Sequence, residues 1–128
     1  MHLTGKNNNT NASSTVLSPF VDVFNDDVVD VALTDITIRY WFVSEPPGTD
    51  QHIVDWAAVN KDYVTGSFAD LGAYRYLQIG FTSNALVPGY LGGNGLAGVF
   101  PAGASTGGIH QRILDSGGGT YDQTNDYS

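Results

Sequence analysis

The stretch that decides the fold is "TDITIRYWFV", residues 34–43. One face of an extended chain would carry Ile36, Ile38, Tyr40 and Phe42, and the other Asp35, Thr37, Arg39, Trp41 and Val43. Alternation with a period of two is typical of a β-strand that buries one face. We therefore predict a strand here, with the face from Ile36 to Phe42 in a core.

Other segments show the same alternation of side chains, and helical periodicity is nearly absent. "GIHQRIL" (108–114) places Ile109 and Ile113 with Gln111 on one face, and His110 and Arg112 on the other. Turn-rich segments separate the runs. The further predicted strands are "SPFVDVFND" (18–26), "YVTGSF" (63–68) and "YRYLQIGFT" (74–82). Many short strands between turns predict an all-β fold, an antiparallel β-sandwich.

A glycine-rich segment interrupts this pattern at about residues 89–108. Eight of its twenty residues are glycine. Glycine-rich composition is typical of flexible connections. We predict a flexible surface loop that flanks a short "GVF" strand (98–100).

Composition excludes several classes of function. The 128 residues suit one domain, and the net charge of −8 disfavours nucleic acid and anionic membranes as partners. The absence of cysteine excludes disulfides and thiolate metal sites. The three histidines are scattered, and no nucleophile elbow, phosphate loop or metalloprotease motif is present. We predict that the chain is not an enzyme.

Sugar binding is the first chemistry that the residues suggest. Asp55 and Trp56 are adjacent, and Arg112 projects from the late strand. A bidentate carboxylate–guanidinium pair is flat, and an indole offers a face to sugar C–H groups. The alternative is a core Trp56 with a solvated Arg112.

The closing stretch "TYDQTNDYS", residues 120–128, suggests a second site. It clusters Asp122, Asn125 and Asp126, and Glu45 is a plausible remote ligand. Calcium prefers such oxygen donors. The alternative is a loop closed by Asx turns without metal.

Six motifs in order carry a resemblance to a known family. They are "LTDITIRYWF", "VDWAAV", "VTGSFADL", "YLQIGFTS", "LVPG" and "YDQTNDYS". The chain resembles a family 3 carbohydrate-binding module, the cellulose-binding family of scaffoldins and bacterial cellulases, from about Leu3 to Ser128. The resemblance implies a jelly-roll β-sandwich and a non-catalytic module that binds cellulose or another β-glucan. It also implies secretion as part of a longer multimodular protein, on which a catalytic domain is a possible partner.

The resemblance further implies a structural calcium ion, Ca²⁺. Its ligands would be the Val43 carbonyl, the Glu45 carboxylate, the Asp122 and Asn125 carbonyls, and the Asp126 carboxylate. The family usually has Asp at the position of Glu45.

The resemblance assigns sugar-binding roles as well. Asp55, Trp56 and Arg112 would form a flat strip, with Trp56 where the family usually has histidine. A polar anchor, often Gln, becomes His110. The remaining carbohydrate-binding candidates are Tyr63, Asn9 and Asn11. Apart from the sugar-binding strip, the resemblance implies a shallow groove of aromatic and basic residues on the opposite face, with Arg39 and Trp41 as candidate members.

The glycine-rich insertion at 89–108 breaks the match, and two departures from the family matter. Gly117 to Gly119 stand where the strip usually has another tryptophan, and the chain ends before the family's last strands. The sequence therefore predicts a sandwich that lacks those strands. The lost tryptophan favours an alternative function, an interaction or structural module that packs on a catalytic domain or binds linkers.

Overall fold

The computed structural model describes residues 1–7, 13–14, 16–42, 44–45, 50–72, 74–87, 96–115 and 120–122. Within these ranges two antiparallel sheets face each other across one hydrophobic core, so the predicted antiparallel sandwich is confirmed. The helical elements in this part of the chain are two 3₁₀ turns, Leu33–Asp35 and Lys61–Tyr63. No helix among the described residues is long and apolar enough to traverse a bilayer.

The strands are numbered in chain order. They are β1 (His2–Asn7), β2 (Ser13–Ser14), β3 (Val16–Leu17), β4 (Pro19–Phe24), β5 (Val31–Ala32), β6 (Ile38–Phe42), β7 (Ser44–Glu45), β8 (Asp50–Ala57), β9 (Val64–Leu71), β10 (Tyr74–Phe81), β11 (Val99–Phe100), β12 (Ile109–Asp115) and β13 (Thr120–Asp122).

Sheet 1 is built around β12. β8 pairs with one edge of β12, whereas β3 and β4 pair with its other edge. β1 then pairs with β4, so the spatial order is β8, β12, β4, β1. Ile109, Gln111 and Ile113 of β12 are buried, as the alternation predicts, which leaves His110 and Arg112 on the outer face.

Sheet 2 has the order β6, β10, β9. Ile36, Ile38, Tyr40 and Phe42 are buried, so the predicted inner face of the opening stretch is confirmed. The strand predicted at residues 74–82 is confirmed as β10, whose alternating apolar residues Leu77, Ile79 and Phe81 are buried in the core. The described residues form two further, smaller groups of strands, β5 with β11, and β7 with β13 and β2.

The prediction of a flexible surface loop is wrong for residues 96–108. Phe100 is 0% exposed and belongs to the core. Asn25, also fully buried, donates side-chain hydrogen bonds to the carbonyls of Phe100 and Val29, at 3.1 and 3.0 Å. The "GVF" strand is confirmed as Val99–Phe100, and it pairs with β5 rather than with a main sheet. The free energy gained by burying the Phe100 ring and by hydrogen-bonding the backbone exceeds the entropic cost of ordering the glycines.

An ion pair connects the two sheets at the start of β8. Arg75 Nε of β10 lies 2.8 Å from Asp50 Oδ2, and these side chains are 13% and 0% exposed. The contact is ionic rather than a well-aligned hydrogen bond. Arg75 Nη1 also donates to Asp70 Oδ1 of β9 at 2.9 Å, and its guanidinium lies over the Phe68 ring. Arg75 therefore ties β8 to sheet 2.

His52 is a second polar side chain between the sheets. Its Nε2 lies 2.7 Å from Gln111 Oε1, which requires Nε2–H as the donor. A methyl group at Gly66 of β9 would overlap the His52 ring, so the glycine makes room for it. Burial lowers the pKa of His52 below its ordinary value of 6.5, and the hydrogen bond to Gln111 opposes this effect only in part.

This burial predicts a pH-dependent stability. Between pH 6.5 and the lower pKa of folded His52, the unfolded chain binds a proton that the folded chain does not. The free energy of unfolding should therefore fall as the pH is lowered through this window. His52→Gln should remove that component in urea unfolding measured across the pH range, whereas the exposed control His2→Gln should retain it. Identical pH profiles for His52→Gln and the parent protein would contradict the assignment.

Candidate functional site

The outer face of sheet 1 owes its arrangement to a β-bulge in β8. His110 is opposite Trp56, and Gln111 is opposite Val54, so Asp55 is an extra residue without a partner in the register. A bulge changes which face the following side chains occupy. Asp55 and Trp56 are consecutive, yet both are exposed, whereas Val54 and Ala57 on either side pack against the core.

Asp55 and Arg112 form the ion pair that the sequence predicts. Arg112 Nε donates to both carboxylate oxygens of Asp55, at 3.0 and 2.9 Å, and Nη2 donates to Oδ1 at 2.9 Å. The two side chains are 43% and 42% exposed, so the pair lies on the surface. The hydrogen bond to Asp55, followed by its Coulomb attraction, raises the pKa of Arg112. The result is a flat, polar surface of opposite charges held edge to edge.

Trp56 lies beside this pair and is 54% exposed. The alternative of a core tryptophan is therefore excluded. Its ring meets the His110 ring edge-on, with centroids 5.6 Å apart and planes at 71°. Asp55, Trp56, His110 and Arg112 together are called the platform below. The structure places these four predicted residues on one face.

Phe20 and Lys6 extend the platform, and neither was predicted from the sequence. The Phe20 ring of β4 lies 4.7 Å from the His110 ring, and Lys6 Nζ of β1 lies 5.3 Å from the Phe20 centroid. The available signal was the alternation in "PFVDVF", where Pro19, Val21 and Val23 are buried and Phe20, Asp22 and Phe24 lie on the opposite, partly exposed face. Using that signal required the pairing of β4 with β12, which links residues far apart in sequence.

The outer face of sheet 2 carries a second group of side chains. Arg39 Cζ lies 4.7 Å from the Tyr76 centroid, and the Trp41 ring also lies 4.7 Å from it. Arg39 Nε donates to Gln78 Oε1 at 3.2 Å. The predicted groove residues Arg39 and Trp41 are thus neighbours, and their register on β10 adds Tyr76 and Gln78.

Other predicted sugar-binding residues are not part of the platform as described. Tyr63 is half-buried and packs against the core, which explains its burial without a role in binding. Asn9 and Asn11 lie outside the described residues, as do Gly117 to Gly119. Their roles stay predictions.

The predicted calcium ligands are described only in part. Val43, Asn125 and Asp126 lie outside the described residues. The backbones of Glu45 and Asp122 belong to β7 and β13, which pair in an antiparallel ladder with Thr120 opposite Glu45. This pairing brings together the two segments that would supply the ligands. Among the residues that the structure does describe, no cluster of three or more His, Cys, Asp or Glu side chains could hold a metal ion.

Comparisons with known proteins agree with this architecture. A family model described as "Cellulose binding domain" matches residues 2–128. The chain is 32% identical over 127 residues to a β-mannanase/endoglucanase A of Caldicellulosiruptor saccharolyticus, covering 95% of this chain and 9% of that protein. It is also 32% identical over 90 residues to anti-sigma-I factor RsgI4 of Acetivibrio thermocellus, covering 65% of this chain and 17% of that protein. The chain therefore spans less than a fifth of either relative.

A solved structure gives the same result for the fold. The chain superimposes with a TM-score of 0.80 and 27% identity on the carbohydrate-binding module CBM3b from the cellulosomal cellobiohydrolase 9A of Clostridium thermocellum, covering 100% of this chain and 80% of that one. The predicted jelly-roll class is thereby confirmed. The match over nearly the whole chain shows that this protein belongs to the family 3 carbohydrate-binding modules, a non-catalytic family.

Proposed function

We propose that this module binds cellulose or a related β-glucan through the platform. The observation that carries the proposal is the exposed Asp55–Arg112 pair with the exposed Trp56 beside it on one sheet face. A sandwich sheet is a rigid support, so these groups need little reordering when a ligand binds.

The chemistry of the platform fits a neutral, hydroxylated chain. The C–H groups on the flat side of a pyranose ring are positively polarised, and the indole face of Trp56 is negatively polarised. The Asp55–Arg112 pair offers carboxylate acceptors and guanidinium donors around its edge, which suit hydroxyl groups. Because the charges of the pair cancel, an uncharged sugar does not leave a lone charge desolvated.

The role we propose is targeting. A non-catalytic module raises the effective concentration of whatever is linked to it at the polysaccharide surface. The glucanase relative is far longer than this chain, which supports a multimodular parent protein. Because insoluble polysaccharide lies outside the cell, we propose that this protein acts there.

Arg112→Ala tests the proposal, because it removes one half of the flat pair. We expect retention on microcrystalline cellulose, or on soluble β-glucan in affinity gels, to fall about tenfold or more. The exposed pair contributes little to folding, so the melting temperature should stay close to that of the parent protein. Arg39→Ala is the matched control, since Arg39 is an exposed arginine on the opposite sheet. Equal retention of both variants would contradict the platform.

A second candidate function is an interaction module. The cluster of Arg39, Trp41 and Tyr76 on sheet 2 favours it, because aromatic rings and arginine are enriched in protein interfaces. The anti-sigma factor relative shows that such modules also occur outside glucanases. In this case Arg39→Ala, rather than Arg112→Ala, should weaken binding to a linked domain or linker peptide.

We also propose a structural calcium ion that joins the β7 segment to the closing loop. The pairing of β7 with β13 supports it, since it brings the Glu45 and Asp122 segments together. Calcium suits the donor set of carboxylates and carbonyls given by the family resemblance. The ion would stabilise the fold, and it takes no part in chemistry.

Removal of calcium should lower the melting temperature. A ligand at about 100 times its Kd stabilises by about 2.7 kcal/mol, a shift on the order of 10 °C for this size. We expect chelation to cause this loss, and calcium rather than magnesium to reverse it, in thermal unfolding followed by circular dichroism.

Two acidic positions provide the matched comparison. Asp126→Ala removes a proposed carboxylate ligand and should abolish the calcium-dependent shift. Asp122→Ala leaves the proposed backbone carbonyl ligand in place and should retain most of that shift. Melting curves that do not respond to chelation would end this proposal, and equal responses of the two variants would reject the ligand assignment.

A further inference from the structure

One row of side chains crosses four of the five strands of sheet 1 at a single register position. Trp56 of β8 is opposite His110, His110 is opposite Phe20 of β4, and Phe20 is opposite Lys6 of β1. Each side chain contacts the next. The ring centroids of Trp56 and His110 are 5.6 Å apart, and those of His110 and Phe20 are 4.7 Å apart. Lys6 Nζ lies 5.3 Å from the Phe20 centroid. This set of four is called the cross-strand row below.

The Phe20 ring lies along the sheet rather than standing out from it. A Cβ atom added to Gly108 of the neighbouring segment would lie 2.7 and 2.8 Å from Cε2 and Cζ of Phe20. The far edge of the ring therefore rests directly on the Gly108 backbone. The same added atom would lie 3.7 Å from Cζ3 of Trp56. Both rings thus extend over one glycine, where any side chain would lift Phe20.

We propose that the cross-strand row is a sugar-binding track, in which Phe20 is a stacking residue for an extended, single β-1,4-linked glucan chain lying across the strands. This inference rests on the proposed binding of β-glucans. It adds a binding residue and a chain direction that the Asp55–Arg112 pair does not specify.

The dimensions of the row support this ligand. Neighbouring strands are spaced by about 4.8 Å, so the row spans about 14 Å over four strands. The strand spacing is close to the length of one sugar unit in an extended β-1,4-linked chain. Successive sugars would therefore lie over successive strands, from Trp56 through His110 to Phe20. Lys6 at the end of the row is a hydrogen-bond donor for the hydroxyl groups of the last sugar.

The row differs from the Asp55–Arg112 pair in what it contributes. That pair lies toward the β8 edge, and Arg112 occupies the next outward position along β12. Trp56 and His110 belong to both the platform and the row, so one chain can contact the Asp55–Arg112 pair and then continue over Phe20. Short oligosaccharides would use the platform alone, whereas longer ones would reach Phe20.

Phe20→Ala tests the track, with Phe24→Ala as the matched control. Phe24 lies on the same strand and outer face, but it stacks on His2 away from the row. Binding is measured by calorimetry with cellobiose through cellohexaose, and by affinity electrophoresis with hydroxyethyl cellulose. We expect Phe20→Ala to weaken binding of the longer chains about tenfold and to change cellobiose binding little. Phe24→Ala should match the parent protein throughout.

Gly108→Ala gives an independent test that keeps every ring in the chain. The φ of Gly108 lies outside the left-handed region, so alanine is compatible with the backbone, and its methyl group must displace the Phe20 ring. Gly108→Ala should weaken binding of long chains. In the Phe20→Ala background it should have no further effect, since the ring it displaces is gone.

The outcomes separate this inference from the function on which it rests. If the parent protein binds no glucan, the proposed function fails. If Arg112→Ala abolishes binding while Phe20→Ala and Gly108→Ala leave the affinity for cellohexaose unchanged, the platform stands and the track is overturned. A loss that is equal for cellobiose and cellohexaose would also overturn the track, since it would place Phe20 under the first sugars.

Discussion

The alternation of side chains along β12 is the constraint on which the other features depend. Ile109, Gln111 and Ile113 enter the core, so His110 and Arg112 must face outward. Three strands take their register from β12, which fixes what lies opposite each outward residue. The buried isoleucines thus hold the binding groups in place, although no sugar would touch them.

The sequence predicts the strands well and the cross-strand contacts poorly. Alternation in "TDITIRYWFV" and "GIHQRIL" identifies buried faces because that signal is local. The pairing of Asp55 with Arg112 could be inferred because a carboxylate and a guanidinium form a specific flat pair, and because the family resemblance gave their positions. Phe20 was missed because its significance depends on being opposite His110, which is 90 residues away in the sequence.

The glycine-rich segment shows how composition can mislead. Glycine content favours mobility in an isolated chain, but residues 96–108 contain Phe100, and burial of one such ring contributes about 2 kcal/mol or more. Asn25 supplies the hydrogen bonds that this burial requires, through a side chain with no exposed surface. Residues 96–108 are consequently part of the scaffold, and the backbone of residues 103–106 hydrogen-bonds to the end of β4 and the turn that follows it.

The bulge in β8 makes the surface sensitive to the number of residues rather than only to their identity. Asp55 is the one residue that β8 has in excess over β12. Deleting any residue between the Asp50–Arg75 contact and Asp55 would shift the alternation of inward and outward side chains along β8. Either an indole would then face the core, or an aliphatic side chain would face water. A relative that lacks one residue in this stretch of β8 would therefore have different ligand contacts, even if it retains every sequence motif of the binding surface.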